Sequence, residues 1–156
     1  EFISARGNEI RCSKSFNIGS GRVTRHFFHH DPPATEEINK ATDFVKSKLN
    51  NIDGSPQAVV CVGGTAATLA LIDAQVPFTD SKHAHHYRLE KSRLQQLILE
   101  LGRKTLVERK SITGLNPERA DVILAGAFIH LEIMKYFSLN SVVISLRDLM
   151  FGIFLE

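Results

Sequence analysis

The stretch Val60-Cys61-Val62-Gly63-Gly64-Thr65-Ala66-Ala67-Thr68 places two glycines and a threonine between an apolar run and a run of helix-forming residues. Glycine at such a junction lets the backbone approach an anion closely. The N–H groups of a helix start, together with the Thr65 hydroxyl, can then donate to phosphate oxygens. The pattern is neither a Walker loop nor the full dinucleotide fingerprint. The same glycines would equally serve tight helix-to-sheet packing, and the local pattern leaves both readings open. Arg22 is a second anion candidate, because it follows Gly19-Ser20-Gly21 and a guanidinium grips phosphate in a fork. An arginine that is merely solvated would look the same.

Other residues invite chemistry with less support. His26, His29 and His30 form one cluster and His83, His85 and His86 another, and histidine is a common metal ligand. Zinc sites need three or four convergent ligands at set spacings, and these clusters fall in loop-like sequence, so no metal is assigned to them. His130 lies beside an apolar helical stripe, where a satisfied, partly buried imidazole is the simpler reading. Arg119 and Asp121 open a long helical segment. Asp121 suits the helix dipole whatever the function, and Arg119 reads as a structural ion-pairing residue in preference to a cleft residue.

The elements that must position these groups follow from periodicity. Residues 1–6 and 9–18 alternate on either side of Gly7-Asn8, predicting a β-hairpin. Thr35 caps a helix predicted over 36–50, with Ile38, Ala41, Phe44, Val45 and Leu49 on one stripe. The run 58–62 reads as a strand buried on both faces, followed by the glycine turn and a helix through Ile72. Residues 73–86 lack a period and read as a loop, and 89–106 is helical with a break at Gly102. Asn116-Pro117-Glu118 is a strong helix start for a predicted helix over 117–137. Val142-Val143-Ile144 reads as another buried strand, and 152–155 as a short last one. Strands alternating with helices predict an α/β layered domain with one mixed sheet and helices on its faces.

At 156 residues the chain has room for a single domain over 1–156. Hydrophobic residues at 43% and charged residues at 23% exclude the disordered and fibrous classes. A formal net charge of +2, with 19 Lys and Arg interleaved among 17 Asp and Glu, argues against diffuse nucleic-acid binding. No segment offers the roughly 18 to 20 unbroken apolar residues of a membrane span. Cys12 and Cys61 have no C-x-x-C spacing, which fits a reducing cytoplasm better than a disulfide scaffold. The chain opens on Glu1 and already alternates through Phe2-Ile3-Ser4 like the middle of a strand, so it is expected to be part of a longer protein.

Several motifs in matching order carry a family resemblance. They are Ser15-Phe16-Asn17-Ile18-Gly19 with Arg22, Thr24 and Phe27; Asp31-Pro32-Pro33; the glycine-glycine-threonine turn; His86-Tyr87-Arg88-Leu89; and Thr105-Leu106-Val107-Glu108-Arg109. Gly114-Leu115-Asn116-Pro117-Glu118-Arg119-Ala120-Asp121-Val122-Ile123-Leu124-Ala125-Gly126-Ala127 is the most specific, and Ser145, Arg147 and Gly152 close the set. Together they resemble the C-terminal lobe of the exopolyphosphatase and guanosine pentaphosphate phosphohydrolase (Ppx/GppA) family. The resemblance implies an actin-like ATPase, ribonuclease-H-type lobe. Its partners would be inorganic polyphosphate or guanosine pentaphosphate (pppGpp), with Mg2+ as cofactor of the intact enzyme, and a homodimer is open to it. It implies that the catalytic glutamate and the acids positioning magnesium belong to an N-terminal lobe absent here. This chain would then hold no catalytic residue, only phosphate contacts at Gly63, Gly64, Thr65, Gly19 and Arg22. Cys61 stands where the family often has glycine, and Arg25 where it is often acidic. The competing readings are a non-catalytic binding or dimerisation module of the same fold, or a lobe of another actin-fold ATPase or kinase, from which the 116–127 signature points away.

Overall fold

A computed structural model describes residues 1–49, 52 and 54–147. The expected strand at 152–155 lies outside them. Strand β1, Phe2–Arg6, pairs antiparallel with β2, Glu9–Lys14, through a turn in which Gly7 takes φ 60°. The hairpin is a two-stranded sheet of its own, with β2 exposed along its whole length. It is tied down at one end, where Phe2 stacks on Phe137 with centroids 5.6 Å apart. Among the described residues, the single mixed sheet expected from the sequence is therefore two sheets.

Helix α1, Ser20–Phe27, was not expected, because its inward stripe is only two apolar residues long, buried Val23 and partly buried Phe27, in an otherwise polar segment. Helix α2, Thr35–Leu49, follows with Ala41, Val45 and Leu49 turned inward, as the stripe predicts. The loop between them closes on Glu37, whose carboxylate accepts from the backbone N–H of His29 and of Ala34, each at 2.9 Å, and lies 2.9 Å from His30 Nδ1. Those donors, His30 first, hold the Glu37 carboxyl down at about 2 against the partial burial that would raise it.

The second sheet has the order β3-β5-β4. Strand β3, Val60–Val62, runs parallel to β5, Ser141–Ser145, and β4, Arg88–Glu90, runs antiparallel to β5. Central β5 buries Val142 and Ile144 as expected. Edge strand β3 departs from the expectation of burial on both faces, with Val60 58% and Val62 53% exposed. One face alone is covered, by the helix that follows it, so alternate residues point outward.

Helices α3, Gly64–Ala74, α4, Lys91–Gly102, the short α5, Leu106–Arg109, and α6, Ile123–Tyr136, complete the domain. The main core joins Leu69, Ile72, Leu94, Leu97, Leu101, Leu124 and Ile144, all almost fully buried, and a smaller one joins Val23, Ala41, Val45, Leu49 and Ala125. Helix α6 faces both. Truncating any of these leucines to alanine would cost about 2 to 5 kcal/mol.

The long helix predicted over 117–137 is broken. Pro117–Arg119 is a 3-10 turn, a connector runs to Val122, and α6 begins at Ile123. In a continuous helix the Ala120 and Asp121 carbonyls would each accept from the residue four positions on. Instead Arg109 Nη1 donates to Ala120 O at 3.0 Å, and the Thr24 hydroxyl lies 3.4 Å from Asp121 O as its donor.

Candidate functional site

Helix α3 starts at the glycine turn without any side-chain cap, and Gly63 holds φ 97° and ψ 170°. That φ belongs to glycine, since an L side chain would be strained there. Gly63 is exposed, and Gly64 and Thr65 are half-buried, so the turn is open to solvent at the C-terminal end of β3. The first N–H groups of a helix have no intrahelical acceptor and carry the positive end of its dipole. The helix also sits close against α6: a Cβ on Gly126 would overlap Thr65 Cγ2 and come within 3.2 Å of Thr65 Oγ1. Gly126 thus fixes where the Thr65 side chain stands.

Gly64 reveals a residue that the sequence reading placed elsewhere. A Cβ there would fall inside the Arg119 guanidinium, so that group packs against the turn itself. Arg119 brings a cation to a helix start that already favours anions. Its approach is fixed from behind. Arg109, 4% exposed, donates to Lys104 O and Ala120 O at 3.0 Å each and to Asp31 Oδ1 at 3.2 Å, pinning the connector that carries Arg119. Asp31 also accepts from Leu106 N–H at 2.8 Å. A contact between residues 64 and 119 leaves no local signal. The nearest hint was the resemblance itself, whose most specific motif includes Arg119.

Gly19 and Arg22 lie at a different helix start. Gly19 caps α1 with φ −173°, ordinary extended backbone, and a Cβ there would meet nothing within 4 Å. Arg22 is exposed, donates to Asn17 Oδ1, and lines a shallow hollow of ≈ 260 Å³ with Asn17, His26, Phe44 and Lys48. None of those lining residues belongs to the 63–65 turn. The two helix starts are linked through the connector, since Gly21 faces Val122 and Thr24 faces Asp121.

The groups around the turn are donors. Cys61, just before it, has its thiol pushed up to about 11 by burial and stays protonated. His130 is pushed down by burial and lies 2.8 Å from Gly126 O through Nδ1, so it is neutral and donates there. Among the described residues no group of three or more His, Cys, Asp or Glu converges to hold a metal. Without a carboxylate beside it, one threonine hydroxyl among glycine amides and an arginine makes a poor Mg2+ site, whereas the same donors fit a phosphate.

The model of the Ppx/GppA phosphatase family matches residues 1–156. The chain belongs to that family. It is 30% identical over its full length to a bifunctional 3-dehydroquinate synthase/phosphatase of Fusobacterium nucleatum, of which the match covers 24%. It is 29% identical over 91% of its length to exopolyphosphatase 1 of Mycobacterium leprae, covering 43% of that protein. The Ppx/GppA enzyme of Aquifex aeolicus superposes with a TM-score of 0.93 at 27% identity, over 98% of this chain and 52% of that one. The Ppx/GppA chain therefore spans from a quarter to about half of these relatives. Its fold is the actin-like, ribonuclease-H-type lobe, α/β with a mixed sheet and helices on its faces.

Proposed function

We propose that this chain is the C-terminal lobe of a phosphohydrolase that removes the terminal phosphate from inorganic polyphosphate or pppGpp, and that it supplies one wall of the phosphate-binding cleft. The observation that carries this reading is the open, uncapped start of α3 with the Arg119 guanidinium laid against Gly64. Backbone N–H groups, the helix dipole and a fixed cation converge there, which is what a phosphate's nonbridging oxygens require. Positioned donors of this kind also stabilise charge that builds on a transferring phosphoryl group, and they need no reorganisation to do so.

The lobe binds and orients; it does not activate water. The Cys61 thiol, held protonated by burial, is not available as a base. We assign the base, and the carboxylates that would hold Mg2+, to an N-terminal lobe outside this chain, in keeping with relatives about twice its length. The exposed Val60 and Val62 on the β3 edge fit a surface that such a lobe covers, and in its absence they favour self-association. We place the protein in a reducing cytoplasm, with which two free cysteines are compatible.

The test is phosphate release from long-chain polyphosphate and from pppGpp with Mg2+, measured for the 156-residue chain and for the natural protein that carries it. Release is expected from the second only. Turnover by the chain alone, proportional to its concentration through successive purification steps, would overturn the reading.

A further inference from the structure

The segment that carries Arg119 to the glycine turn is wound more tightly than the helix it leads into. Arg119 N–H donates to Asn116 O at 2.8 Å, Ala120 N–H to Pro117 O at 3.3 Å and Val122 N–H to Arg119 O at 3.2 Å, each reaching back three residues. Gly126 N–H reaches back four, to Val122 O at 3.0 Å. Local sequence does not forbid a longer α6: Ala120 and Val122 already hold right-handed helical dihedrals, and alanine is the best helix former. The two windings differ by about 20° per residue, so extending α6 back through the four steps from Ile123 to Arg119 would swing that side chain about 80° around the helix axis. Among the described residues the Arg119 side chain has no hydrogen-bond or ion-pair partner, so nothing at its tip opposes the swing. Its place against Gly64 depends on the backbone beneath it.

A buried guanidinium holds that backbone. Arg109 bonds to three separate segments: to Lys104 O ahead of α5, to Ala120 O in the connector, and to Asp31 in the loop between α1 and α2. Ala120 O is the carbonyl that Leu124 N–H would need in an extended α6. Asp31 is itself fixed, since both its oxygens accept from Leu106 N–H, at 2.8 Å and 2.9 Å, where the Thr105–Glu108 capping box closes the start of α5. Loop, α5 and connector thus converge on one side chain, and the connector is the piece with another winding open to it.

We propose that Arg109 and Asp31 are positioning residues for anion binding: by holding Ala120 O they keep the connector in its tight winding and so keep the Arg119 guanidinium against Gly64. This rests on the glycine turn and Arg119 being a phosphate site. It adds that affinity there is set partly by two residues that touch no ligand, one of them on the loop between α1 and α2. Their contribution passes through Arg119 and disappears when Arg119 is gone.

The test is Arg109→Lys in the full 156-residue chain, which keeps the cation but loses the fork that spans three acceptors. Backbone carbon NMR shifts of residues 120–122 should move towards helical values, a readout that needs no ligand. Pyrophosphate affinity, measured by calorimetry, should fall about fivefold. Arg119→Gln alone should cost about tenfold, and adding Arg109→Lys to it should cost less than about twofold more. The fall in Tm caused by Arg109→Lys should be the same in both backgrounds, which separates positioning from folding. Should Arg109→Lys fail to fold, Asp31→Asn is read through the same cycle; it still accepts from Leu106 N–H and should lose about twofold in affinity. Unchanged shifts at 120–122, or equal affinity losses with and without Arg119, overturn the positioning role and leave the phosphate site standing. If the unmodified chain binds no pyrophosphate, the phosphate site falls and the positioning role falls with it.

Discussion

The starts of α1 and α3 look alike in sequence and differ in construction. Each follows a glycine, each has a cation associated with it, and neither is capped by a side chain. At α3 the glycines are required: Gly63 has φ 97°, and Gly64 leaves the space that the Arg119 guanidinium occupies. At α1 nothing depends on the glycine, because Gly19 is in extended backbone with open space where a Cβ would be. Its cation, Arg22, lies on the same helix, bonded to Asn17. Distant elements are fitted around the start of α3 and not around that of α1, which is why the proposed phosphate site is placed at α3.

The fitting depends on glycines away from the turn, and the largest effect is expected there. Gly114 holds φ 87°, and a Cβ on it would overlap the backbone of Leu71 and Ile72 near the end of α3. Backbone cannot swing aside as a side chain can. Gly114→Ala should therefore cost about 3 kcal/mol or more, combining strain and clash, and should show as a large fall in Tm or a failure to fold. A variant melting with the parent chain would mean that α3 is not held by that contact.

Gly64→Ala should separate site from fold. The Cβ meets only the far end of Arg119, which can move, and alanine is the better helix former, so stability should stay within about 1 kcal/mol of the parent or rise. Phosphate affinity should fall about tenfold, because the guanidinium is displaced from the turn. Unchanged affinity together with unchanged stability would reduce the glycine pair to a packing device.

How far these differences could be read from sequence depends on how local their causes are. The hairpin, α2, the glycine turn and central β5 were legible because turn residues, an apolar stripe and unbroken apolar runs are local signals. Helix α1 was missed because its apolar stripe is only Val23 and Phe27, one turn long in a polar segment, and β4 because three residues in front of a strong helix read as part of it. The break before α6 was illegible for another reason: Arg109 and Thr24 take the carbonyls that the helix would use, and neither is near them in sequence. The place of Arg119 was hidden in the same way. Distance along the chain, more than residue type, set the limit.

The loop that closes α1 onto α2 should respond to pH, an effect milder than the loss of a core glycine. Glu37 has its pKa lowered from 4.5 to about 2, by His30 first and then by the backbone donors of His29, His30 and Ala34. A carboxylate depressed in the folded state contributes stability above its unfolded pKa and loses it as pH falls through the folded one. Melting in the parent should thus weaken between about pH 4.5 and 2. Glu37→Gln should remove part of that slope while leaving phosphate binding at the α3 turn alone. A variant with the parent's full acid slope would show that other carboxylates carry it.

The smallest effect is expected where the sequence signal looked equal. Gly19→Ala puts a methyl into open space on extended backbone, where any residue is comfortable. Two small terms act in opposite directions: alanine lowers the entropy of the unfolded chain, and it is a poorer residue than glycine at a helix cap. The net change should stay within about 0.5 kcal/mol in thermal or urea melts. Phosphate affinity should stay within about twofold, since the α3 site does not use Gly19. Gly63→Ala is the matched substitution. It places the same methyl at φ 97°, and it should cost about 1 to 3 kcal/mol and disturb the turn's N–H groups. If instead Gly19→Ala weakens phosphate binding as much as Gly63→Ala does, the α1 start belongs to the site after all, and the contrast between the two helix starts collapses.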